Sequence, residues 1–248
     1  MRLSMLLEYR LGLLVGAAGM IVIHAASIAG LWVVLRPVGT LAGWRFEELL
    51  LCYGLLTTAR AIEHTLADNL WVIGAHMREG TFDRFLVRPI DPLFYFLADR
   101  FNVDGLGTAA VGLAATTWAW AALGIPASPM NLAVALVAIL SGGVVFIAIN
   151  LITATTAFWI VESVPITRAV HELHDFARFP LTLYGRKLEL LFTWILPFGL
   201  ASFWPASHLT GRDVGGIVWA APFVATALAL LAYRFWRFGL AHHEGTGT

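Results

Sequence analysis

The chain has 248 residues, of which 59% are hydrophobic and 13% are charged, and its mean hydropathy is +0.77. Soluble domains of this length are less apolar, so the composition excludes an ordinary soluble protein and predicts an integral membrane protein. The formal net charge is zero without a basic tail, which argues against a nucleic-acid partner, and the single cysteine, Cys52, excludes an internal disulfide.

Four long stretches contain no Asp, Glu, Lys or Arg: 11–35, 105–161, 190–211 and 214–233. About 20 apolar residues cross the hydrocarbon core as a helix. The second stretch is too long for one helix and breaks at "GIPASPMN", while a weaker candidate lies at 47–68. We therefore predict one all-α transmembrane domain over residues 1–248. Its six predicted spans are about 11–35, 47–68, 101–123, 131–160, 186–203 and 214–234.

The positively charged residues indicate how the spans are oriented. Six spans put both ends of the chain on one side, and Lys and Arg are enriched in cytoplasmic segments. If both ends are inside, twelve of the 16 Lys and Arg residues lie in cytoplasmic segments and three lie outside. We therefore predict an N-in, C-in arrangement in which residues 76–100 form a cytoplasmic loop between spans two and three.

Three ionisable residues, Arg60, Glu63 and His64, lie at helical spacing inside the second predicted span. Ionisable groups within a membrane are functional candidates by default, so these side chains are candidates to line the transport path or an interface. A local pair among the three, near the cytoplasmic end, is the favoured alternative. His24 in the first span and Asn150 in the fourth are expected to hydrogen-bond to neighbouring helices.

The loop 76–100 opens with a dense charged stretch, "HMREGTFDRFLVRP". Helical spacing places Phe82, Phe85 and Leu86 on one face, and Pro89 ends the helix. Such an amphipathic helix lies on lipid headgroups or fills a groove on a protein partner. The charges of its polar face have both signs, which favours a protein partner without excluding the lipid surface.

The segment "HELHD", residues 171–175, has two histidines three residues apart. The zinc motif H-E-x-x-H places its histidines four residues apart, and no third ligand is apparent here. We therefore expect an amphipathic cytoplasmic helix that borders the loop 76–100 or its partner, and no metal site.

Near the outer end of the fifth span, Pro197 and Pro205 bracket the apolar segment "FGLASFW", which is too short to cross a membrane. Proline interrupts helices, so we expect the span to break and re-enter the outer leaflet. The outer element formed by Pro197, Trp204 and Pro205 is expected to shape the exit of the cargo path.

The order "REGTFDRFLVRPIDPLFYF" resembles the loop between spans two and three in one branch of the ABC-2 class of ATP-binding-cassette exporter permeases. The pattern of that branch, Gly-x-(aromatic or Leu)-Asp-x-x-Leu-x-(Arg/Lys)-Pro, is carried here by Gly80, Phe82, Asp83, Leu86, Arg88 and Pro89. Similar blocks follow at Phe158, Trp159, Phe179, Pro180, Tyr184, Pro197, Trp204, Pro205 and Ala206. The resemblance therefore covers nearly the whole chain.

The resemblance implies a six-span permease subunit of a bacterial cytoplasmic membrane. It implies a second permease subunit, identical or similar, and two copies of a separate ATPase subunit that docks on a coupling helix in the loop 76–100. The residues implied at this ATPase interface are Glu79, Gly80, Phe82, Asp83, Arg84, Phe85, Leu86, Arg88 and Pro89. Phe82 and Phe85 would be the aromatic anchors in the partner.

No nucleotide-binding loop is present in these 248 residues. The motif G-x-x-x-x-G-K-[ST] needs a lysine before Ser or Thr, but the only lysine, Lys187, precedes Leu188. We therefore expect ATP and Mg²⁺ on the partner, and no catalytic residue, cofactor or metal on this chain. The cargo is expected to be lipophilic or amphipathic. The alternatives are a secondary transporter or channel without an ATPase and, with less support, an intramembrane enzyme.

Overall fold

The structure is a computed structural model that describes residues 10–160 and 163–242. These residues form helices and turns with no β-strand among them, which confirms the all-α class. The α-helices are α1 (Arg10–Val38), α2 (Phe46–Leu66), α3 (Ile73–Arg78), α4 (Pro92–Asp99), α5 (Asp104–Ala122), α6 (Pro129–Thr155), α7 (Val164–Glu172), α8 (Gly185–Leu190), α9 (Phe203–Leu209) and α10 (Ala221–Ala241). Short 3-10 turns cover Asp68–Val72, Phe82–Phe85, Thr156–Phe158, Leu173–Arg178, Leu181–Tyr184, Pro197–Leu200 and Ile217–Ala220, and a π-helical turn covers Leu191–Ile195.

Three helical segments of the described residues are long and apolar enough to cross a membrane: Val15–Val38, Pro129–Phe158 and Ile217–Ala241. A fourth results if the bent pair Leu181–Ile195 and Pro197–Leu209 counts as one span. Helices α2 and α5 occupy the second and third predicted spans, but they are not among these segments. Charged residues in α2 and the many Gly and Thr residues in α5 make both less apolar. The six-span count therefore stays a prediction.

Local signals explain where the chain turns between α5 and α6. Gly124 has a φ of +64°, a left-handed conformation that glycine adopts without strain, and it ends α5. The Ser128 hydroxyl then accepts a hydrogen bond from the Asn131 amide at 3.2 Å, and Pro129 occupies the first turn of α6. A capping serine followed by proline is a strong helix start, so the predicted break at "GIPASPMN" is confirmed.

Helix α2 lies at the centre of the fold, packed against α5 and α6. Its approach to α5 depends on two glycines: a methyl group on Gly54 would lie 2.6 Å from the Thr116 amide nitrogen, and one on Gly112 would lie 2.6 Å from the Thr58 amide nitrogen. Small residues allow this close approach of helix backbones in membrane proteins. The protein therefore encloses α2, which is the setting in which a membrane helix tolerates charged side chains.

One end of the bundle is closed by an aromatic cluster, which consists of Phe82, Phe85, Phe96, Phe158 and Trp236. It joins the loop 76–100, which includes α4, to the end of α6 and to α10. Trp236 is fully buried, and its ring lies 5.3 Å from that of Phe158 between centroids. The loop 76–100 is thus packed onto the same end as the carboxyl end of α10.

The opposite end of α2 is held by Arg212. One of its terminal nitrogens, Nη2, lies 3.1 Å from Glu48 Oε1, and the guanidinium lies 4.0 Å above the centre of the Trp44 ring. Glu48 also accepts a hydrogen bond from the Arg45 amide at 2.7 Å, which completes the first turn of α2. Arg45 and Arg212 are two of the three basic residues that the N-in, C-in arrangement assigns to the outer side, and both lie at this end of the bundle.

Candidate functional site

The loop 76–100 does not form the amphipathic helix that was predicted to hold Phe82, Phe85 and Leu86 and to end at Pro89. Helix α3 ends at Arg78, and Gly80 turns the chain with a φ of +63°, a left-handed conformation that favours glycine. Only the four-residue 3-10 turn Phe82–Phe85 follows, and residues 86–90 form turns and bends. The predicted extent of the helix is therefore wrong. Helical spacing in the sequence predicted that Phe82 and Phe85 share a face, but it did not predict the turn at Gly80 that precedes them.

The rings of Phe82 and Phe85 are enclosed by this chain itself, and each residue is 1% exposed. The Phe82 centroid lies 6.0 Å from that of Trp236, and the Phe85 centroid lies 4.8 Å from that of Phe96. In this structure neither ring is available as an anchor for a partner, which corrects that part of the expectation. Their burial instead fixes the loop to the bundle.

Three exposed apolar side chains just after the buried rings form what we call the apolar tip, which consists of Leu86, Val87 and Ile90. These side chains are 37%, 81% and 48% exposed. Two basic residues lie next to the tip in the sequence, and both pack on aromatic rings of the loop. The Arg84 guanidinium lies 4.6 Å over the Phe85 ring, and the Arg88 guanidinium lies 4.6 Å over the Tyr95 ring. The other residues implied at the interface are Glu79, Gly80 and Pro89, which are exposed, and Asp83, which is half-buried.

The loop is also tied to α10 through Asp91. Its carboxylate caps α4 by accepting hydrogen bonds from the Leu93 and Phe94 amides, and it accepts a third from the Tyr233 hydroxyl at 2.8 Å. Burial opposes ionisation, but these hydrogen bonds outweigh it, so the pKa of the Asp91 carboxyl lies below its usual value. The charged carboxylate therefore links the exit of the loop to the last helix.

The three ionisable residues predicted inside the second span, Arg60, Glu63 and His64, bond to three different elements. Glu63 Oε1 accepts a hydrogen bond from Asn150 Nδ2 on α6 at 2.5 Å. Arg60 Nη1 lies 3.2 Å from His174 Nε2, and His64 Nδ1 lies 3.3 Å from the Thr108 hydroxyl on α5. The local pair favoured from the sequence is therefore not the arrangement found. Arg60 and Glu63 instead connect α2 to distant parts of the chain.

The expected helix–helix hydrogen bonds are confirmed at both positions. Asn150 donates to Glu63 across the α6–α2 interface, as described above. His24 Nδ1 on α1 lies 2.6 Å from the Tyr53 hydroxyl on α2, and His24 is buried. Each of these polar side chains thus has a hydrogen-bond partner on a neighbouring helix, although the buried Asn150 Oδ1 has none among the described residues.

His174 lies between two groups of opposite hydrogen-bonding type. Its Nδ1 contacts the His171 carbonyl, which can only accept, so Nδ1 carries a hydrogen. Its Nε2 lies 3.2 Å from the Arg60 guanidinium, which can only donate, and 2.9 Å from Asp175 Oδ1, which accepts when ionised. A neutral ring therefore bonds to Arg60, whereas a protonated ring bonds to Asp175.

The segment 171–175 spans the end of α7 and the start of the 3-10 turn Leu173–Arg178. Among the residues that the structure describes, no group of three or more His, Cys, Asp or Glu side chains is placed to hold a metal ion. Its contact with α2 is the one between His174 and Arg60. The signal for this contact in the sequence was weak, because a hydrogen bond between residues 114 positions apart has no local pattern.

The predicted break at Pro197 is confirmed. Helical segments Leu181–Ile195 and Pro197–Leu209 are bent by 75° relative to each other. The Trp204 indole nitrogen donates to the Thr193 hydroxyl at 3.0 Å and so joins the two limbs. Pro205 lies in the first turn of α9, where the missing N–H costs little.

The chain was compared with models of known protein families, and the matched range contains the residues of all the features described in this section. A sequence model described as "ABC-2 family transporter protein" matches residues 21–247 of the chain. That range includes the loop 76–100, the ionisable residues of α2 and the break at Pro197. A comparison with curated proteins and one with solved structures each found no match.

Proposed function

The chain belongs to the ABC-2 transporter family, and from this membership we propose that it is the permease subunit of an ATP-driven exporter. The observation that carries the proposal is the match over residues 21–247. Two such subunits, identical or similar, form the translocation path. Each recruits one separate ATPase, which binds ATP and Mg²⁺. The cargo is lipophilic or amphipathic.

The proposed architecture has six spans with both termini in the cytoplasm of a bacterium. Helices α2 and α5 supply the second and third spans, because their mutual packing buries the polar groups that make them less apolar. The distribution of Lys and Arg supports this orientation. The bent segment around Pro197 then lies in the outer leaflet, where it shapes the exit for cargo.

The loop 76–100 is the proposed ATPase dock, and the apolar tip supplies its anchors in place of Phe82 and Phe85. Val87 is the most exposed member of the tip, and Arg84 and Arg88 stand at its rim. Apolar anchors at the centre of an interface contribute about 2 kcal/mol or more each, whereas rim charges contribute about 0–1 kcal/mol.

The test is purification of the full-length tagged chain from its own host membranes in a mild detergent. We expect a P-loop ATPase to co-purify and to hydrolyse ATP in the complex. Val87→Asp should weaken the association about thirty-fold or more, since about 2 kcal/mol is lost. Ala98→Asp, at an exposed position of α4, introduces the same charge away from the tip and should leave the association intact.

Failure of the chain to recruit any ATPase would contradict the proposal and favour the secondary transporter or channel. Retention of the ATPase by Val87→Asp would contradict the docking surface alone. The two outcomes are therefore distinguishable.

A further inference from the structure

A cavity of about 240 Å³ lies between α1, α2 and the segment that follows α7. Its walls are formed by Ser27, Leu31, Tyr53, Asp175, Arg178 and Phe179. The walls thus combine one carboxylate, one guanidinium, two hydroxyl groups and apolar surface.

The two charges of the cavity keep part of their bonding capacity free. Arg178 Nη2 lies 2.8 Å from Asp175 Oδ1, and His174 contacts the same oxygen. Neither of these two contacts uses the second carboxylate oxygen, Oδ2. The Arg178 guanidinium has five N–H donors and lies 5.5 Å over the Tyr53 ring. The side chain of Asp175 is 50% exposed and that of Arg178 is 23% exposed. Both can therefore bond to a further group.

The cavity is far from the ends of the helices that line it. At 1.5 Å per residue, Ser27 lies about 16 Å from the Val38 end of α1 and about 25 Å from the Arg10 end. Tyr53 lies about 10 Å from the Phe46 end of α2 and about 20 Å from the other end. The segment that carries Asp175 and Arg178 was predicted to be cytoplasmic, but the Arg178 guanidinium lies over Tyr53 within the bundle, which corrects that expectation for this part of the segment. A charged pair at this depth of a membrane protein is costly and is a functional candidate by default.

Apolar surface continues from the cavity along α1. Ile23, Ser27, Leu31 and Val34 form one helical stripe, and Ile23 and Val34 are 60% and 61% exposed. A hydrocarbon chain can follow this stripe while its polar head occupies the cavity.

We infer that this cavity binds the head group of a zwitterionic amphiphile. The anionic group of the ligand bonds to Arg178, its ammonium group bonds to Asp175, and its tail lies along the α1 stripe. A ligand with one charge bonds to only one of the two charged groups, so it gains fewer charge-assisted hydrogen bonds than a zwitterion does. The inference names the cargo class of the exporter and, in that respect alone, rests on the proposed function.

The test is native mass spectrometry of the full-length protein in a non-ionic detergent, without ATPase or nucleotide. The probes are lauroyl lysophosphatidylethanolamine, which is zwitterionic, dodecyl phosphate and dodecylammonium. We expect saturable binding of the zwitterion about ten-fold tighter than of either other probe, because it gains one more charge-assisted hydrogen bond. In Asp175→Asn the ammonium group of the zwitterion loses its partner, so the zwitterion should bind no tighter than dodecyl phosphate. In Arg178→Gln its phosphate group loses its partner, so the zwitterion should bind no tighter than dodecylammonium.

Ser27 supplies variants that leave both charges in place. Ser27→Leu should fill the cavity and abolish saturable binding, whereas Ser27→Ala should retain it. Glu172→Gln, an exposed change outside the cavity, should also retain it. Equal binding of the three probes, or full binding by Ser27→Leu, would overturn the inference.

The binding assay contains no ATPase, so its result does not depend on whether an ATPase docks. A second arm separates cargo from a resident membrane lipid. With the ATPase complex in liposomes, a cargo accelerates ATP hydrolysis in wild type but not in Ser27→Leu, whereas a resident lipid leaves hydrolysis unchanged in both. Either result leaves the binding site standing.

Discussion

Replacement of Phe82 by alanine tests how the loop 76–100 is held. The Phe82 ring is 1% exposed and lies within 6.3 Å, centroid to centroid, of the rings of Phe85, Phe96, Phe158 and Trp236. Truncation of a buried Phe to Ala costs about 3–5 kcal/mol, through lost apolar contacts and the cavity that remains. We therefore expect Phe82→Ala to destabilise the whole protein and not just one interface.

The magnitude sets a clear threshold for the assay. For a chain of this size, 1 kcal/mol corresponds to a shift in Tm of about 2–4 °C, so even 3 kcal/mol lowers Tm by about 6–12 °C. Thermal unfolding of the detergent-solubilised protein, followed by tryptophan fluorescence, measures the shift. Phe82→Leu keeps most of the buried volume, so its Tm should lie between those of Phe82→Ala and the wild type.

The matched control is Val87→Ala, which truncates an apolar side chain of the same loop that is 81% exposed. It should leave Tm within about 2 °C of wild type and weaken ATPase association. The opposite pattern would refute the reasoning: if Phe82→Ala kept the Tm of wild type but released the ATPase, Phe82 would be a partner anchor and not a core residue.

Four further predictions follow from particular contacts. Asn150→Ala removes the donor to buried Glu63 and should destabilise the protein by about 1–3 kcal/mol in thermal unfolding; no loss would exclude a structural role for this hydrogen bond. Gly54→Leu should prevent α2 from packing against α5 and reduce the yield of monodisperse protein in size-exclusion chromatography, while Gly12→Leu, in open space, should not. Burial and the nearby Arg84 charge lower the pKa of His76 below 6.5, so the unfolded chain takes up this proton first as pH falls through 6.5. Stability should therefore fall as pH falls through about 6.5, and His76→Gln should reduce that fall; an unchanged pH dependence would exclude His76 as a contributor. A reporter fused after Thr248 should be active in the cytoplasm, and activity only outside would contradict the N-in, C-in arrangement.

The loop 76–100 shows how far a local pattern reaches. Spacing in the sequence correctly placed Phe82 and Phe85 on one face and implied their burial. It could not say what buries them, because Trp236 and Phe158 are remote in the chain and come close only when α6 and α10 pack together. As a result, a core contact was predicted to be an interface.

The charges of α2 show the same limit. Arg60 and Glu63 were recognised as exceptional because an apolar helix rarely contains them. Their partners, His174 and Asn150, lie on other elements. The Asn150 hydrogen bond was expected because a lone amide in an apolar helix needs a partner. The histidine spacing in "HELHD", by contrast, suggested a metal motif and gave no indication of the contact with α2.

The sequence by itself determined the membrane class, the helical composition, the turn at Gly124 and the break at Pro197. Each of these depends on residues that are close together in the chain: an apolar run, a glycine with positive φ, or a proline that cannot continue a helix. Only the tertiary structure decided which apolar side chains are buried within the chain and which are exposed. Phe82 and Val87 are both apolar residues of one loop, yet one is enclosed by α10 and the other is 81% exposed. That difference arises from long-range packing, which no local period in the sequence records.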